Sequence, residues 1–74
     1  LRVYPAHGGY RGKRPKAGDA VRLLVAQPGF HDSTITIPAD TRGQVESINR
    51  YFMLVLTDAG IVAAKVSQVE IIGE

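Results

Sequence analysis

The sequence predicts an all-β fold, a small five-stranded barrel with an irregular basic arm in front of it. Three observations lead there. Short stretches rich in Val, Ile, Leu and Thr alternate with clusters of Gly, Pro, Asp and Asn, the pattern of brief strands joined by turns. Thr57-Asp58-Ala59-Gly60 is a strong hairpin signal, because Gly60 can take the positive φ that closes a short loop. The charge is also divided: the first sixteen residues hold five basic side chains and no acidic one, and the remaining fifty-eight hold four basic and seven acidic. A charge block at one end marks a different physical object from the rest, so residues 1–17 are read as an arm and 18–74 as the folded body.

The arm cannot build regular structure. Pro5, Gly8, Gly9, Gly12, Pro15 and Gly18 follow one another too densely for a helix or a ladder strand. Tyr4 and Tyr10 stand among Arg11, Lys13, Arg14 and Lys16 on an open backbone. That mixture suits docking on an acidic protein, and equally suits phosphates with a tyrosine stacked on a base.

Lys16-Ala17-Gly18-Asp19 is a turn, after which residues 20–25 alternate and set Val21, Leu23 and Val25 on one face with Arg22 outward. Residues 26–40 form one long loop holding a brief extended segment at 34–37. A turn at 38–43 leads into a second strand ending at Ile48, and Asn49-Arg50 connects tightly to a third over 51–56. The hairpin at Gly60 returns a fourth strand over 61–65. A single 3₁₀ turn at 66–68 precedes a last strand at 69–72.

Five short strands with a long first loop and a single turn before the last strand is the order of an SH3-like barrel. The segments Gly18-Asp19-x-Val21-Arg22-Leu23, Pro38-Ala39-x-Thr41-Arg42-Gly43-x-Val45-x-x-Ile48, Asp58-x-Gly60 and Val69-Glu70-x-Ile72 resemble the punctuation of bacterial SH3-like domains, among them KOW-type modules and the small barrel subunit of photosystem I. The resemblance spans about residues 16–73. It implies a fold far more than a function, since the matched positions are turn glycines and core aliphatics. It also speaks against one enzyme: SH3-fold dihydrofolate reductases of plasmid origin carry Val-Gln-Ile-Tyr after the corresponding hairpin, where this chain has Ile61-Val62-Ala63-Ala64-Lys65.

Chemistry-bearing residues are sparse. Without cysteine there is no disulfide, thiolate zinc site or catalytic thiol, and a cytoplasmic setting is expected. His7 and His31 lack ligand spacing, so neither a metal nor another cofactor is expected. No motif around Ser33, Ser47 or Ser67 activates an alcohol, and Asp32, Asp40 and Asp58 sit where Asp caps its own backbone. The longest apolar run, residues 51–56, is far short of the roughly 20 residues that span a bilayer.

Two regions invite a partner. The third strand is apolar on both faces; with Phe52, Leu54 and Leu56 inward, Tyr51, Met53 and Val55 would form an outward patch. In SH3-like domains ligands often settle between the long first loop and the connection of the second and third strands. Here the resemblance implies Phe30, His31, Asp32, Asn49, Arg50 and Tyr51, with Phe30 and Tyr51 as anchors and Arg50 as a fork for an anion. The expectation is a non-catalytic protein-binding module or accessory subunit. Its partner would be another protein or a second copy, met through Tyr10, Arg11, Lys13, Arg14, Lys16, Phe30, Arg50, Tyr51, Met53 and Val55. The alternatives are a KOW-type module binding RNA or DNA through the arm, and an enzyme whose site is shared between subunits.

Overall fold

In the computed structural model, residues 14–72 of the chain are described; just under half of them lie in antiparallel strands, and the helical content among them is one short 3₁₀ turn. The strands are β1 (Ala20–Leu23), β2 (Gln27–Pro28), β3 (Thr36–Ile37), β4 (Arg42–Ile48), β5 (Met53–Thr57), β6 (Gly60–Ala64) and β7 (Val69–Ile71). The all-β class read from the sequence is the class observed. Five strands make one sheet in the order β6-β5-β4-β1-β7, and β2 with β3 forms a small hairpin inside the long loop. That hairpin is tied to the sheet edge, where the Phe30 amide donates to the Ile61 carbonyl at 2.7 Å.

Local chemistry explains the turns. Asp19 N–H donates to the Lys16 carbonyl at 3.0 Å, closing the turn that opens β1. Gly60 takes φ 140°, as the hairpin requires, and the Thr57 hydroxyl braces it by donating to the Gly60 carbonyl at 2.7 Å and accepting from the Ala59 amide at 3.0 Å. The 3₁₀ turn Val66–Gln68 is held by the Gln68 side chain, which accepts from the Lys65 amide at 2.8 Å.

One apolar cluster draws on all five sheet strands and on Ile37 of β3. Alternation selects its members: Val21 and Leu23 from β1, Val45 from β4, Met53 and Val55 from β5, Val62 and Ala64 from β6, Val69 from β7. Two side-chain directions differ from the expectation. Val25 does not extend the buried face of the first strand, because β1 ends at Leu23 and the chain bends, leaving Val25 exposed. Met53 and Val55 do not point outward. They are 1 % and 0 % exposed, and the outward residues of β5 are Leu54 and Leu56.

The reason for that phase lies in β4. Val45 pairs with Val55 but Ser47 pairs with Leu54, so the ladder slips by one residue at Glu46. This bulge turns Glu46 and Ser47 both to solvent, and the inward phase is carried by Val45, Val55 and Met53.

Candidate interaction surface

Asn49 builds the connection between β4 and β5. Its side-chain Oδ1 accepts from the Tyr51 amide at 2.7 Å and the Phe52 amide at 3.0 Å, while its own amide donates to the Phe52 carbonyl at 2.9 Å. An asparagine that caps its own turn leaves the intervening residues no interior to fill. Arg50 and Tyr51 are therefore thrown outward, with Tyr51 74 % exposed.

The long loop comes to meet this turn. Phe30, 46 % exposed, is pinned by its amide to β6, and its ring lies 6.2 Å from that of Phe52 with a 47° tilt. His31 packs edge-on against Phe30 at 5.0 Å. Both separations and angles are those of favourable aromatic pairs. The result is a ledge of Phe30, His31 and Phe52 where two connections converge, next to Arg50 and Tyr51. The two connections that the sequence pairs do converge, but Phe52, expected inward on the third strand, stands where they meet. The available signal was Asn49: an Asx-type turn over Arg50-Tyr51 puts Phe52 at the mouth of the turn.

Asp32 orders the loop behind the ledge. Its carboxylate accepts from the Thr34 hydroxyl and, at 3.0 Å, from the Thr34 amide. The hydroxyl first, and then the amide, hold its pKa below the ordinary aspartate value. A depressed carboxylate contributes order above its unfolded pKa of about 3.9 and loses it as pH falls through the folded value. An NMR titration of Asp32 is expected to give a midpoint below that of a free aspartate, with Thr34 amide protection lost over the same range. Thr34→Val should raise the midpoint toward the ordinary value, and an unshifted wild-type midpoint would refute the capped loop.

On the outer side of the sheet, Arg22 is bound by Asp40 and by Glu70. The register supplies Glu70, which stands directly opposite Arg22 on β7, and Asp40 reaches back from a left-handed backbone at φ 73°. Both carboxylates raise the Arg22 pKa, Glu70 more than Asp40, so the guanidinium stays charged. Arg42, opposite Arg22 on β4, has no ion pair among the described residues.

Further along that side, Leu56 stands beside Ile61 and Leu54 beside Ala63, an apolar strip of which Leu56 is 38 % exposed. Arg14 and Lys16 are exposed on either side of the buried Pro15. Tyr10, Arg11 and Lys13, the other expected contact residues of the arm, lie outside the described residues, as does His7. No three His, Cys, Asp or Glu side chains converge among the described residues in a way that could hold a metal. No helix there is long and apolar enough to cross a membrane. Compared with protein-family models, with curated proteins and with solved structures, the chain shows no match.

Proposed function

We propose that this chain is a non-catalytic protein-binding module of the SH3-like barrel type, a small accessory subunit of a larger assembly. Several features of the backbone support the fold part of that reading. β1 lies between β4 and β7, the long first loop returns to the β6 edge, and a 3₁₀ turn leads into the last strand.

The observation that carries the function is the aromatic ledge. Phe30 and Tyr51 expose large apolar surface on backbone fixed by the Phe30–Ile61 and Asn49–Tyr51 hydrogen bonds. Anchors that are already ordered spend little conformational entropy on binding, and aromatic residues beside an arginine are the composition of interface hot spots. Arg50 adds a planar donor for a carboxylate. The cationic arm of residues 1–17 would add attraction to an acidic neighbour, stronger at low salt than at high. A nucleic-acid reading draws less support, because the body of residues 18–74 is net acidic, with four basic and seven acidic side chains, and would leave phosphate binding to the arm.

Peptide display against the intact chain tests this. Selected peptides should shift the NMR signals of Phe30, His31, Arg50, Tyr51 and Phe52. The double substitution Phe30→Ala with Tyr51→Ala should weaken them by about 2 kcal/mol or more, roughly thirtyfold in Kd, with the melting transition nearly unmoved. Peptides that bind equally well after the double substitution would refute the ledge. Steeply salt-dependent capture of a random oligonucleotide by the same chain would transfer the assignment to nucleic acid.

A further inference from the structure

We infer that the outer face of β4, β5 and β6 is an interface with a second copy of this chain, the two sheets packed face to face about a two-fold axis running along β5. This concerns a different surface from the aromatic ledge, so either can fail without the other.

β5 is the middle strand of three, with β4 and β6 both antiparallel to it and therefore parallel to each other in direction. Its outward residues Leu54 and Leu56 have Ala63 and Ile61 beside them on β6, and Ser47 and Gln44 on β4. The centre of this face is therefore uncharged and the flanks carry charge. On the β4 flank, Arg42 begins the strand and Glu46 sits at its bulge; on the β6 flank, Asp58 lies in the turn before the strand and Lys65 directly follows it. All four are exposed, and none is ion-paired among the described residues.

A two-fold axis along β5 turns the sheet over without shifting it lengthwise. It therefore lays β4 of one copy over β6 of the other, at the separation of about 10 Å usual for stacked sheets. Gln44 and Ile61 share a row through Leu56, so the Arg42 end of β4 falls on the Asp58 end of β6 and the Glu46 end falls toward Lys65. The signs are opposite at both ends, and symmetry repeats each pairing. Leu54 and Leu56 meet their own copies along the axis, as an isologous interface requires. A partner without this polarity would leave the four charges unanswered, so charge complementarity selects a second copy as the occupant.

Sedimentation of the intact chain over a range of concentrations is the test. The wild type is expected to form a dimer, and Leu56→Arg, at an exposed site, to be monomeric while keeping a cooperative melt. Arg42→Asp and Asp58→Arg should each weaken the dimer by about tenfold, and the double variant Arg42→Asp/Asp58→Arg should recover to within about threefold of the wild type. Recovery by charge exchange cannot come from a change in folding. A wild-type chain that sediments as a monomer at every concentration, or a double variant no tighter than the single ones, overturns the inference.

Discussion

Met53→Glu is expected to abolish the folded state and remove the cooperative thermal transition. Met53 is 1 % exposed in the apolar cluster, and the core residues Val45, Val55 and Ala64 come from its own strand and the two flanking it. A glutamate there must either ionise without a partner or stay protonated. Holding it neutral at pH 7 against an ordinary pKa of about 4.3 costs roughly 4 kcal/mol. Losing the buried thioether side chain removes about 2 kcal/mol more. A single core in a domain this small supplies only about 3–5 kcal/mol, so the substitution exceeds what the fold has to lose. The control is Leu56→Glu on the same strand, which places the carboxylate at the outer, partly exposed face and is expected to leave the melt cooperative. Circular dichroism of the two variants side by side decides it. A Met53→Glu protein that melts cooperatively within a few degrees of the wild type would mean that Met53 does not face the core.

The phase of β5 is not legible in its own residues. Residues 20–23, 60 and 66–71 were legible because local chemistry alone specifies them: alternation in Val21-Arg22-Leu23, the positive φ of Gly60, and a 3₁₀ turn between two strands. Tyr51-Phe52-Met53-Leu54-Val55-Leu56 carries no alternation, so period-two reasoning supports either face equally. The choice is made outside the run, by the Asn49 turn that removes Tyr51 and Phe52 from the strand and by the bulge at Glu46. Gln27 is a second example of tertiary control. Pattern reading leaves a glutamine of a turn-rich loop in water, yet pairing of β2 with β3 sets it opposite Ile37 and it is 7 % exposed. Of the expected contact residues, Phe30 and Arg50 are exposed as loop positions are, whereas Tyr51, expected outward as the first residue of the third strand, is exposed because the Asn49 turn takes it off that strand.

Gly43→Ala is expected to destabilise the chain by about 1–3 kcal/mol, although alanine ordinarily favours order over glycine. Gly43 pairs with Thr57 across the β4–β5 ladder, and a methyl group there would collide with the Leu56 carbonyl oxygen and approach Thr57 Cγ2 to 2.8 Å and Val55 Cγ1 to 2.9 Å. A flexible side-chain end could move aside, but a carbonyl committed to a ladder cannot without opening it. The penalty should therefore appear as a fall in melting temperature of about 4–8 °C for each kcal/mol lost. It should also appear as faster amide exchange confined to the β4–β5 ladder around Gly43 and Leu56. The same displacement would tilt Gln44 and Leu56, the row that aligns β4 with β6 on the outer face, so self-association should weaken together with the ladder. An alanine variant that melts at or above the wild-type temperature would show that β4 and β5 can separate at Gly43 without loss. The outward row would then be set by the Glu46 bulge alone.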